Sequence, residues 1–272
     1  MNYKKQALVI LLVFAAFVSS MCTEVRASQE TVIGTVQLTL TTGDEAGKSS
    51  ASTLGSACAD ALILVTGADF SLIASGDLAS NLTAGDKTQE DIDALFTDAD
   101  TKIVTAEVTA VQLCAWLEYG LSHITLNDAE QIDTDSSAFD GFLQIGGFKL
   151  TYDASARAGE RVMRIMSDGV QVDTQESETV YLLALSASLF EIYGYTETQM
   201  SDTEYTLGSA MAAYAAEGIP DVYSDSDRII AAGSQDSKLI NRVPVLAVIL
   251  AAVLGILLKI WWNRRTESAE YS

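Results

Sequence analysis

The chain has 272 residues, with 37 acidic against 16 basic side chains and a formal net charge of −21. So strong a negative field repels phosphate backbones, which excludes nucleic acid as a partner and gives a nucleotide phosphate no long-range attraction. A binuclear metal centre needs several histidines, and His123 is the only one.

Residues 1–27 have the layout of a signal peptide. Lys4 and Lys5 precede an apolar run at 7–18, too short to span a bilayer, and Val25 and Ala27 suit the small-residue positions before a cut after Ala27. A lipid-modified Cys22 is the alternative. Residues 31–41 alternate well enough for a strand, and the polar, glycine-containing stretch 43–52 reads as a loop. From Ser52 the period turns helical: Leu54, Ala57, Cys58, Ala61, Leu62 and Val65 share one face, with Ser52 or Thr53 as N-cap. Residues 70–74 make a short buried strand, 89–96 a short helix with an acidic outer face, and 102–108 a further strand. Thr109 then caps a helix carrying Val111, Leu113, Cys114, Leu117 and Leu121.

The segment 125–140 is a polar, acidic loop, and 141–153, 160–166 and 179–185 return to strand. Residues 206–217 form a small amphipathic helix, 220–227 a loop before Arg228, Ile229 and Ile230, and 231–242 a polar juxtamembrane spacer. Helices and strands alternate without a clean βαβ repeat. A mixed α/β (α+β) domain over 28–230, with at least partly antiparallel pairing, is expected.

Residues 243–262 are long enough to cross the hydrocarbon core as one helix. Pro244 falls in the first turn, where a missing N–H does no harm, and Trp261 and Trp262 suit the headgroup region. Arg264 and Arg265 mark the cytoplasmic side. The expected topology is a single-pass cell-membrane protein: the acidic domain lies outside the cytoplasm and the tail 263–272 inside.

No Gly-x-Ser-x-Gly elbow or phosphate-binding loop occurs, so no catalytic residue is expected. His123, at a helix end, reads as a capping or surface residue. Asp133 and Asp135 open like a calcium loop, but Ala138 stands where the turn needs Gly and Gln144 where the closing Glu belongs; no metal or cofactor is expected. Asp98 and Asp100 read as a solvated turn, and Tyr193, Tyr205 and Tyr214 as core edges. Cys58 and Cys114 read as buried free thiols, with a disulfide as the alternative. Asn81-Leu82-Thr83 is a glycosylation sequon, meaningful only in a host that glycosylates.

A series of short motifs adds to this. Leu54-Gly55-Ser56-Ala57-Cys58-Ala59-Asp60-Ala61 leads into Ala68-Asp69-Phe70-Ser71-Leu72-Ile73-Ala74-Ser75-Gly76-Asp77-Leu78, then Ala84-Gly85-Asp86-Lys87-Thr88. Glu107-Val108-Thr109-Ala110-Val111-Gln112-Leu113, Phe142-Leu143-Gln144-Ile145-Gly146-Gly147, Gly159-Glu160-Arg161-Val162 and Asp227-Arg228-Ile229 follow. In this order they resemble the C-terminal domain of the 5′-nucleotidases, from about residue 33 to 230. The resemblance implies a layered sandwich of helices and mixed sheets. In the family this domain follows a metallophosphatase domain that supplies two metals and a catalytic His, and this chain reads as the C-terminal domain alone.

The resemblance also implies a nucleoside pocket made of two Phe rings, an Arg, an Asn and an Asp. At the matching positions Ser75-Gly76-Asp77-Leu78-Ala79 keeps Gly76 but puts Ala79 where the Arg belongs. Asp98-Ala99-Asp100-Thr101 puts Ala99 for one Phe and Thr101 for the Asn, and Glu191-Ile192-Tyr193-Gly194-Tyr195 puts Tyr193 for the Asp. The second ring falls near Ala187, or on Phe190 after a shift. No nucleotide-binding residue is therefore expected. The expected function is a non-catalytic binding or interaction module with an unidentified protein partner. One alternative is the substrate-binding subunit of a split metal-dependent 5′-nucleotidase, docked to a separate metallophosphatase chain; another is a relic of gene truncation.

Overall fold

The computed structural model describes residues 31–43, 48–193, 200–223 and 228–232. The signal-peptide segment 1–27 with Cys22, the apolar segment 243–262 with its flanks, and Gly194, Tyr195 and Asp227 lie outside these residues. No helix among the described residues is long and apolar enough to cross a membrane.

In chain order the elements are β1 (Gly34–Val36), α1 (Thr53–Thr66), β2 (Phe70–Ala74), a 3₁₀ turn (Ser75–Asp77), β3 (Gly85–Lys87), α2 (Gln89–Asp93), β4 (Lys102–Thr109), α3 (Ala110–Leu121) and α4 (Thr134–Ser137). There follow β5 (Leu143–Gly146), β6 (Lys149–Asp153), β7 (Val162–Ser167), β8 (Val170–Val172), β9 (Val180–Ser186), α5 (Ser188–Tyr193), β10 (Met200–Thr206), α6 (Leu207–Glu217) and β11 (Ile229–Ala232). The described strands make three sheets, ordered β10-β4-β9-β2-β5, β11-β6-β7-β8 and β1-β3. In the first, β2 runs parallel to β9 and the other pairs are antiparallel; in the second, β11 runs parallel to β6.

The five-stranded sheet is buried on both faces, and the two-residue period of its strands shows how. Phe70, Leu72, Val104, Ala106, Leu183 and Leu185 enter one core, while Ile73, Ile103 and Ala184 enter the other. The first core is closed by α3, through Leu113, Trp116 and Leu117, and by the four-stranded sheet, through Leu150, Tyr152 and Ile165. The second is closed by α1 and α6, through Leu54, Cys58, Leu62 and Met211. The expected mixed α/β sandwich is what the chain forms.

Caps fix the helix starts. Ser52 Oγ accepts from Gly55 N at 3.0 Å to start α1, and α1 stops at Gly67, whose φ of 67° only glycine adopts freely. Thr109 and Gln112 form a reciprocal capping box on α3.

Several expected elements are shorter or split. The strand at 31–41 contracts to β1, with Leu40 making an isolated bridge to Leu82. The helix at 89–96 ends at Asp93, because Leu95 O is taken by Ala79 N at 2.7 Å and Phe96 bridges Leu78. The strand at 141–153 breaks at Gly147 (φ 82°) into β5 and β6, which join different sheets. The loop at 125–140 contains the single turn α4, capped by Asp133. Strand β11 carries on through Ala232, two residues beyond Ile230.

Candidate functional site

Because β2 and β9 run parallel, both end at the same edge of the sheet. Past β2 the chain turns through Ser75–Asp77; past β9 it enters α5 at Ser188. Gly76 is held tightly there: its N–H donates to Asp140 O at 2.7 Å, and a Cβ would stand 2.8 Å from Asp140 Cβ. Asp77 turns inward with 8% exposure and accepts from Ser188 Oγ at 2.8 Å, while Ser188 and Ser186 hydroxyls lie 3.0 Å apart. Burial pushes the Asp77 carboxyl above its usual range against the lowering effect of hydrogen bonds from Ser186, Ser188 and the Ala74 backbone, and the Asp98 charge adds to the rise.

The loop carrying Asp98, Ala99 and Thr101 closes on the same turn. Thr97 donates from N to Asp77 O at 2.8 Å and from Oγ1 to Gly76 O at 2.9 Å. Exposed Asp98 accepts from Asp100 N at 3.0 Å, so this pair is the solvated turn expected. The carbonyls of Ala99 and Thr101 accept from Gly208 N at 2.9 Å and Leu207 N at 3.0 Å, which cap α6. Ala79 is exposed and anchored only by its backbone to Leu95. Tyr193, 9% exposed, donates its hydroxyl to Gly141 O at 3.0 Å and lies 4.4 Å from the Tyr119 ring and 6.1 Å from the Trp116 ring.

Gly76, Asp77, the 97–98 loop and Ser188 thus converge, whereas Tyr193 belongs to an aromatic cluster at the far end of α5. What gathers at the sheet edge is a carboxylate enclosed by hydroxyls. Such a group accepts hydrogen bonds and carries no positive charge to hold a phosphate.

Residues 32–190 match the model of the family described as 5′-nucleotidase, C-terminal domain. The chain belongs to this family. Similar solved structures include a 5′-nucleotidase precursor from Thermus thermophilus (20% identity, TM-score 0.62, covering 82% of this chain and 42% of that one). The sulfate thiohydrolase SoxB of the same organism is 15% identical with a TM-score of 0.57, covering 81% and 39% of the two chains. An NAD nucleotidase from Haemophilus influenzae is 12% identical with a TM-score of 0.55, covering 75% and 38%. These likenesses concern the fold, and the chain spans about two fifths of each of those proteins. No curated protein matches the sequence.

Several motifs by which the chain resembles other 5′-nucleotidase C-terminal domains hold the fold together. Gln144 is buried; its Oε1 accepts from Ser52 N at 2.8 Å, and its Nε2 donates to Ser50 O at 2.9 Å and Ser75 Oγ at 3.1 Å. Arg161 donates to the carbonyls of Leu121 and Ile124 past the end of α3, while Glu118 of α3 accepts from Arg161 N and Val162 N. Asp60 and Arg228, from the first and last motifs, pair at 2.7 and 2.6 Å, and Tyr223 donates its hydroxyl to Asp60. In the sequence these residues carry no signal for such roles beyond membership in a motif.

The remaining candidates are structural. His123 stacks on Phe139 with ring centroids 3.7 Å apart, next to the C-cap of α3. The Asp133 carboxylate accepts from Ser136 N and Oγ, which lowers its pKa; it serves as an N-cap. Cys58 and Cys114 are free. Cys58 is buried, and burial drives its thiol far up; Cys114, expected to be buried too, lies half-buried on the edge of α3.

Proposed function

We propose that this chain is a membrane-anchored, extracytoplasmic 5′-nucleotidase C-terminal domain that no longer holds a nucleoside and acts as a non-catalytic binding or interaction module. The observation that carries this reading is Asp77. A nucleoside phosphate needs donors and positive charge at the pocket edge. Here the turn after β2 presents a buried carboxylate tied to Ser188. Loss of one stacking ring and of a charged donor costs several kcal/mol of ligand affinity, on the order of 2–4. The anchoring part of the reading rests on the apolar segment 243–262 and the basic residues after it.

A thermal-shift titration of the full chain with adenosine and AMP tests the loss of nucleoside binding. Selective binding to the native state raises the melting temperature with ligand concentration. A flat response to millimolar ligand is expected. A saturable rise would favour the second reading, a substrate-binding subunit for a separate metallophosphatase chain. That reading draws on the 5′-nucleotidase and the NAD nucleotidase among the similar solved structures.

A further inference from the structure

A cleft of about 710 Å³ lies at the opposite end of β2 from Asp77. Its wall includes Gly147, which sits against Asp69 O just before β2 begins, whereas Asp77 follows the strand's last residue. A five-residue strand separates the two places by roughly 16 Å. Its volume is that of a small-molecule site.

The floor is a network drawn from four parts of the chain. Asp60 of α1 accepts from Arg228 and Tyr223, and the hydroxyls of Tyr223 and Tyr214 of α6 are hydrogen-bonded to each other. The guanidinium also stands 5.6 Å from the centre of the Tyr223 ring. Each partner fixes the next, so the floor is rigid before any ligand arrives.

A guanidinium has five N–H donors. Asp60 takes one from each of Nη1 and Nη2, and the carbonyls of Ile145 and Ser56 lie 3.1 and 3.4 Å from Nη1. Among the described residues, none bonds Nε–H or the second hydrogen of Nη2. Those two donors are parallel and form the side-on edge of the guanidinium, which matches the two oxygens of a carboxylate. Arg228 lines the cleft, and its side chain keeps 20% exposure.

The charges around the cleft decide which anion fits. Among the described lining residues Asp60 and Asp168 oppose Arg228 and Lys149, so their charges balance on a strongly acidic molecule. One negative charge is tolerated there better than two, which disfavours a phosphate dianion. The walls are Phe148, Met166 and Val222, the last 65% exposed, and they offer an apolar body a place to lie. We propose that this cleft binds a small monocarboxylate with an apolar body, held by the side-on edge of Arg228. The site goes beyond the module reading above and is independent of the turn at Asp77.

Isothermal titration of the full chain with 3-phenylpropionate tests this, with 3-phenylpropionamide and inorganic phosphate as controls. Saturable carboxylate binding is expected, with the amide weaker by about tenfold or more and phosphate weaker still. Arg228→Lys keeps the charge but loses the fork, and should weaken binding comparably. Because that change also touches the Asp60 pair, Met166→Glu is the second variant: it adds a negative charge to the wall and leaves the floor intact. It should weaken carboxylate binding by about tenfold with the melting temperature unchanged. No carboxylate binding at millimolar concentration, equal binding of the amide or of phosphate, or indifference to Met166→Glu would overturn the proposal.

Discussion

Asp77 holds a charge where the fold would more cheaply hold a neutral group. Its folded pKa is raised, first by burial, so the native state binds the proton more tightly than the unfolded chain does. The corresponding stability is fully present below the ordinary value of 3.8 and is lost as pH rises through the folded pKa. Asp77→Asn removes the charge at nearly constant shape. It should raise the melting temperature at neutral pH, and the advantage should vanish by about pH 4. Melts of both proteins across that range check the sign; an advantage that grows in acid would contradict it. Gln144 makes the opposite case, a buried amide whose groups are well used. Gln144→Leu strands Ser52 N, takes one of the partners of Ser75 Oγ, and should cost about 1–3 kcal/mol in urea unfolding.

Among the elements, α1, α3 and α6 were legible because each begins at a Ser or Thr cap followed by an apolar stripe. Strand β10 was not: Met200–Thr206 is rich in Ser, Asp, Glu and Thr, and pairs only as a sheet edge, so no apolar alternation marks it. The break between β5 and β6 was hidden for another reason. Apolar residues continue on both sides of Gly146 and Gly147, and it is the backbone at Gly147, φ 82°, and the packing at Gly146 that need the glycines. A Cβ at Gly146 would lie 2.3 Å from Ser71 Oγ and 3.0 Å from the backbone of Ala59 in α1. Gly146→Ala should therefore push β5 off α1 and cost about 1–3 kcal/mol, read as a lower denaturation midpoint with little change in slope. The turn at Asp77 was legible only through its motif: no periodicity reveals that Ser188 and Thr97 close on it from segments so distant in sequence.

For the whole molecule, α1 and the entry to β11, the first α-helix and the last strand among the described residues, meet at an ion pair. Arg228, entering β11, reaches Asp60 on α1 and draws Tyr223 and Tyr214 into the contact. Both charged groups keep some solvent exposure, which screens the pair, so Arg228→Ala should cost about 2–3 kcal/mol rather than the full cost for a buried pair. Chemical denaturation measures it, and a loss below about 0.5 kcal/mol would show that the latch contributes little. Opposite this latch lies the edge where the family resemblance places a nucleoside, with Asp77 buried against Ser188. Amide NMR during an adenosine titration tests the proposed loss of nucleoside binding most directly, because it reports where binding occurs. The signals of Gly76, Asp77, Asp98 and Ser188 should stay fixed up to millimolar adenosine. Saturable shifts confined to those residues would mean that the pocket still opens to a nucleoside and would contradict the loss of binding.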